Sequence, residues 1–159
     1  MAGDATDRKV IATNRKARYE YEIFDTFEAG VALLGPEVKS LRAGRANLSD
    51  AYATIRGREV FLVGLHISPY PQAGRANPDP RRERKLLLHR AEIARLQGRV
   101  VERGFTLIPL QLYFKNGRAK VELGLARGRR RHDKREAIRR RETDREMRRT
   151  MRARGRFRS

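Results

Sequence analysis

Hydrophobic and polar positions along this chain change period several times, and each change marks an element. Residues 19–24 (YEYEIF) alternate ring and carboxylate, the period of a strand with one wet face. A turn around Glu28 leads to a second predicted strand, Gly30 to Leu34. A short helix follows from Pro36, whose missing N–H suits the first helical position. Glu37 complements its positive end, Lys39 and Arg42 lie toward the negative end, and Gly44 can close it with positive φ. Val38 and Leu41 face one way and must dock on something larger, because under three turns of helix are unstable alone. Asn47 to Arg56 reads as a strand, Gly57-Arg58 as a two-residue hairpin loop, and Glu59 to Gly64 as the antiparallel return. Gln72 to Arg82 is a long polar loop flanked and interrupted by Pro71, Pro78 and Pro80.

The 3.6-residue period predicts a helix over Lys85 to Arg103, with Leu87, Leu88, Ala91, Leu96 and Val100 on one face and Gly104 as the stop. Strands at Phe105 to Phe114 and Ala119 to Ala126 are joined by Asn116-Gly117, a strong hairpin signal, and Pro109 points to an edge or bulge. About six strands with two or three short helices predict a mainly β (α+β) fold. The expected architecture is a small antiparallel β-barrel of the oligonucleotide-binding type with flanking helices. The expected divisions are a flexible N-terminus over 1–13, a barrel over 14–127 and a basic tail over 128–159.

Charge sharpens that division. Residues 1–126 hold 22 basic and 14 acidic side chains, whereas residues 127–159 hold 16 and 5. The tail has too few apolar residues to offset its chain entropy, and like-charge repulsion is expected to keep it disordered until a polyanion neutralises it. Its i,i+4 pairs, Glu136 with Arg140 and Asp144 with Arg148, then favour a helix. A basic excess of this density calls for an anionic partner, nucleic acid first. The tail lacks the bulky apolar face of an interfacial helix, so no membrane partner is expected. The chain has no cysteine, its N-terminal residues show no signal-peptide core, and no run reaches bilayer length, so the expected location is the cytosol.

Catalytic signals are weak. His66, His89 and His132 match no metal-ligand spacing, and neither a phosphate-cradling glycine loop nor a nucleophile elbow occurs. No cofactor is expected. Binding signals are strong: Lys39, Arg42 and Arg45 form a basic edge on the short helix, and Tyr19 beside Arg18 is a candidate stacking platform.

Words in a fixed order carry a resemblance as well: NRKARYEY at 14–21, FEAG at 27–30, EVKSLRAGRANLSDAY at 37–52, HISPY at 66–70, DPRRERKLLL at 79–88 and GLARGRRRHDKRE at 124–136. Together they are similar to the SsrA-binding (small protein B) family, whose members bind transfer-messenger RNA and rescue stalled bacterial ribosomes. The resemblance implies an oligonucleotide-binding-type barrel with no chemistry of its own, and partners in transfer-messenger RNA and the small-subunit rRNA of the decoding region. RNA contacts would fall on Glu28, Leu87 and His89, the last standing where the family commonly has asparagine. Phosphate contacts would come from Lys16, Lys39, Arg42, Arg84 and Lys85, with Arg18 and Arg45 beside them. Tyr19 falls on a surface facing the decoding site. Gly128, Arg129, Arg130 and Arg131 would lead into Asp133, Lys134 and Arg135, the family's DKR word. The tail would replace an anticodon arm and enter the empty messenger channel as a helix. A general RNA-binding or ribosomal protein is the alternative, and a metal-dependent nuclease the remote one.

Overall fold

A computed structural model describes residues 8–129 and 141–149, with the side chains of 101–103 left aside. Among the described residues the strands are β1 (Arg8–Thr13), β2 (Tyr21–Val31), β3 (Ala46–Asn47), β4 (Tyr52–Arg56), β5 (Glu59–Val63), β6 (His66–Ile67), β7 (Arg84–Leu87), β8 (Thr106–Lys115) and β9 (Arg118–Gly128). The helices are α1 (Ala17–Glu20), α2 (Gly35–Arg42) and α3 (Arg90–Arg103), with a 3₁₀ segment at Pro71–Ala76 and a further helix over 141–149. All pairings are antiparallel, in the order β1-β8-β4-β5-β7-β2-β9, and β9 returns to β8. The sheet therefore closes into a ring, with β1 and β4 sharing one edge of β8. Closure removes the exposed strand edges of an open sheet, and the expected mainly β fold of antiparallel strands with short helices is the one observed.

The ring is filled by Val60, Leu62, Leu86, Leu107, Leu112, Val121, Leu123 and Leu125, all buried. Leu41 of α2 and Leu96 of α3 join the same core, so each short helix is held by tertiary burial rather than by its own propensity. Ala17 packs with Ile108, Leu110 and Ala126 in a smaller cluster.

The hairpin and cap expectations agree with the structure. Asn116 and Gly117 both have positive φ between Lys115 and Arg118, which pair across the turn. Arg56 pairs with Glu59 around Gly57-Arg58, and the register slips between Pro109 and Gln111 as a proline bulge. Gly104 takes φ 69° at the end of α3.

Five expectations need correction, the first being the single strand over 47–56, which is interrupted after Asn47 and resumes at Tyr52. Residues 8–13, taken as part of a loose terminus, form β1 against β8, since partner hydrogen bonds on an otherwise free edge outweigh a polar composition. Tyr19 and Glu20 belong to α1, and the strand begins at Tyr21. There is no turn at Glu28: β2 runs unbroken through the glycine at position 30 because β9 pairs with it from Tyr21 to Gly30. Residues 84–87 are a strand, not the start of a helix. The three consecutive leucines concealed the alternation that Arg84 (in), Lys85 (out), Leu86 (in) and Leu87 (out) actually follow.

Candidate nucleic-acid interface

Strand alternation positions the first cluster. On β2, Phe27 and Ala29 enter the core, which turns Glu28 outward. Across the ladder Glu28 lies opposite Glu122, a like-charge pair that needs compensation. Arg8 supplies it for Glu122 at 3.0 Å. For Glu28 the Tyr113 hydroxyl donates a hydrogen bond and Lys115 Nζ lies 3.5 Å away. The Tyr113 bond, against a smaller opposing effect of burial, holds the Glu28 carboxyl below its usual range, and Lys115 helps. Burial and then Glu28 push the Tyr113 phenol well up, so it remains a donor. The Arg8 guanidinium covers the Tyr113 ring at 3.6 Å and bonds Gln111 Oε1 at 2.5 Å.

Leu87 sits across from Gly30 on the neighbouring strand and is 55% exposed. A Cβ on residue 30 would come 3.3 Å from the Leu87 Cβ, so the glycine lets that side chain lie close over β2. His89 precedes the first turn of α3, as a helix-entry histidine does, and its backbone N–H donates to Glu92 Oε1 at 3.3 Å. Glu28, Lys85, Leu87, His89 and Lys120 thus line one open groove of about 630 Å³. It offers an apolar floor, the carboxylates of Glu28, Glu59 and Glu92, an imidazole, two ammonium groups and the Arg58 guanidinium.

The remaining candidates lie on other surfaces. Lys39, Arg42 and Arg45 are exposed along and just beyond α2, with Lys39 Nζ 5.4 Å from the Tyr70 ring centre. Arg84 is turned inward and fully buried. Its Nε and Nη2 donate to Glu37 Oε2 at 2.8 and 2.5 Å, and Nη1 donates to the Leu65 carbonyl. It is therefore a structural cation and not the phosphate contact expected of it, because an inward strand position met a buried carboxylate. Burial would push Glu37 up, but hydrogen bonds from Arg82, the Leu34 N–H and Arg84 outweigh it and keep the carboxyl below its ordinary value.

Lys16, Arg18 and Tyr19 lie at the opposite end of β2 from Glu28, about 23 Å along the strand. Lys16 and Arg18 are exposed there. Gly128 pairs with Tyr21, and Arg129 donates its N–H to Glu20 O at 2.9 Å and its Nε to Tyr21 O at 3.2 Å. The path into the tail is thereby anchored beside Tyr19. Residues 141–149 form an exposed helix already in the unbound chain, where helix was expected only after neutralisation, and Arg141 lies 4.8 Å over the Tyr19 ring. Opposite charges three apart, such as Glu142 with Arg145 and Glu146 with Arg149, favour that helix without a ligand. Arg130, Arg131, Asp133, Lys134 and Arg135 lie outside the described residues.

Reading the sequence missed Arg8, Tyr113, Lys115 and Lys120. Glu28 and Tyr113 are 85 residues apart, so no local pattern pairs them. Among the described residues no group of three or more His, Asp or Glu could hold a metal ion, and no helix is long and apolar enough to cross a membrane.

A closed antiparallel ring carrying a groove of mixed charge, a basic helix edge and an arginine-rich extension defines a small nucleic-acid-binding protein of the barrel type. Comparison with known proteins narrows the class. The sequence model of one family, SmpB protein, matches residues 11–153. An SsrA-binding protein of Symbiobacterium thermophilum is 55% identical over 155 residues, covering 97% of this chain and 98% of its own. One from Gloeobacter violaceus is 57% identical over 152 residues, covering 96% and 99%. A solved structure from work described as "tmRNA-SmpB: a journey to the center of the bacterial ribosome" is 52% identical with a TM-score of 0.64, covering 80% of this chain and 94% of that one. The chain belongs to the SmpB protein family.

Proposed function

We propose that this chain binds the tRNA-like domain of transfer-messenger RNA and delivers it to stalled ribosomes, acting in the cytosol as a binding protein and not as an enzyme. Family membership across residues 11–153 is the observation that carries this reading. The groove of Glu28, Lys85, Leu87, His89 and Lys120 supports it with a matching surface. Leu87 offers a face on which an unpaired base or ribose can rest, and the two lysines can neutralise the adjoining phosphates. Glu28 cannot pair with phosphate. Held ionised by Tyr113 and Lys115, it accepts hydrogen bonds from base or sugar donors, which gives the groove selectivity beyond charge.

The second part of the proposal concerns the other end of the β2–β9 ladder. Tyr19 and the arginine-rich extension leaving Gly128 face the decoding centre, and the extension takes the place of an anticodon arm in the vacant messenger channel. Supporting this is the charge of residues 127–159, with 16 basic and 5 acidic side chains, and the anchoring of Arg129 to β2 next to Tyr19. A ribosome still holding full-length messenger would exclude the extension by occupying the same path.

Truncation after Gly128 tests the two parts separately. Binding to transfer-messenger RNA should persist, while peptide tagging on stalled ribosomes should vanish; loss of RNA binding itself would contradict the division of labour. Competition with bulk tRNA at moderate salt separates this reading from a general RNA-binding protein, which would discriminate little.

A further inference from the structure

The groove floored by Leu87 does not end at His89. A second hollow of about 540 Å³ opens beside it, between the β4–β5 turn and α3. The two share Arg58, Glu59, Lys85 and Ile93, so they form one continuous track. Arg90, Ala94 and Gln97 complete the second hollow, and Gln97 stands two turns of helix beyond Arg90, about 10 Å along the axis.

Positive charge predominates in the second hollow, with Arg58, Lys85 and Arg90 against Glu59. Arg8, Arg56, Arg82 and Arg84 all have carboxylate partners. Among the described residues Arg58 and Arg90 have none. Among the described residues Glu59 is the only carboxylate lining the hollow, and it sits 3.8 Å from Lys85 with both side chains about half exposed, a contact that water weakens and a phosphate can replace at small cost. Ile93 and Ala94 give a shallow apolar floor, and the Gln97 amide can both donate and accept.

We propose that this second hollow carries the sugar–phosphate backbone of the RNA strand leaving the first groove. Arg58 and Arg90 grip phosphates, which guanidinium does through paired N–H donors. Lys85 serves both hollows, and Gln97 meets a ribose hydroxyl. Unpartnered arginines above a floor with one screened carboxylate match a polyanionic backbone better than an apolar protein segment. The inference rests on the reading that the first groove binds RNA.

The test uses the full chain with an in vitro transcript of the tRNA-like domain, measuring affinity across a salt series. Arg58→Ala and Arg90→Ala should each make the slope of log K against log salt shallower by about 0.7–0.9. Arg58→Lys and Arg90→Lys should keep most of it. Both positions are exposed, so the variants should melt like the parent. The chain has no cysteine, so Gln97→Cys can carry a single tethered cleavage reagent, which should cut the bound transcript at one stretch of backbone. An unchanged slope, or no cleavage from position 97, overturns the second hollow. If Leu87→Ala still weakens binding in that case, the first groove stands and only this extension falls. If Leu87→Ala is also without effect, the parent reading falls with it. Protection of the position-97 thiol by poly-glutamate but not by the transcript would assign the hollow to an acidic polypeptide and equally overturn it.

Discussion

Arg84 and Arg141 place the same guanidinium in opposite surroundings. Arg84 lies inside the ring, fully buried, with its donors spent on Glu37 and on the Leu65 and Pro80 carbonyls. Arg141 lies on an exposed helix with its guanidinium over the face of Tyr19. In the ring, positive charge is matched locally and becomes architecture: Glu37 joins α2 to β7 and to Arg82 in the polar loop. In the extension, 16 basic side chains stand against 5 acidic ones over residues 127–159, an excess the extension's own carboxylates cannot match. Net charge alone would treat the two regions as one basic surface. Burial separates a cation that holds the fold from one left in reach of solvent.

The sharpest way to break that contrast is to remove the internal partner. Glu37→Ala leaves Arg84 buried and uncompensated, and should cost about 3–5 kcal/mol in urea or thermal unfolding. If the loss were no greater than for Arg141→Ala, the ring would not depend on its internal pair. Acid probes the same pair. The folded Glu37 carboxyl lies below its ordinary value of 4.5, so its contribution is fully present above that pH and is lost as pH falls toward the folded value. Unfolding midpoints should therefore hold steady at neutral pH and drop below about 4.5, and Glu37→Gln should flatten that drop while lowering the neutral value.

A smaller effect is expected at the Asn116-Gly117 turn. Gly117 sits at φ 75°, so Gly117→Ala should cost about 1 kcal/mol in unfolding without altering RNA affinity. Leu87→Ala reverses the pattern: at an exposed position it should move stability by less than about 0.5 kcal/mol, yet weaken RNA binding measurably. Arg141→Ala removes an exposed cation–π contact worth about 0.5–1 kcal/mol at most. Chemical-shift change at the Tyr19 ring, rather than the melting midpoint, is the measurement that reads it.

Local chemistry in the chain was enough to determine several features. Asn116-Gly117 needs two positive φ angles, Pro36 and Glu37 suit a helix start, and Gly104 suits a helix stop, so each turn and cap was legible from its own residues. The basic excess, its concentration after residue 126 and the ordered family words likewise needed no coordinates. Ring closure, by contrast, needs β1 and β4 to pair with β8 and β2 to pair with β9 across long stretches of sequence, and only the fold decides those pairings. The same holds for the site. Glu28, Leu87 and His89 could be singled out one at a time, but their meeting with Lys120, the support from Tyr113 and Arg8, and the withdrawal of Arg84 into the core depend on which face each strand turns inward. A strand's inward face is chosen by its neighbours' burial and not by its own letters, so a run such as RKLLL could not disclose that its first cation faces the core and its second leucine faces water.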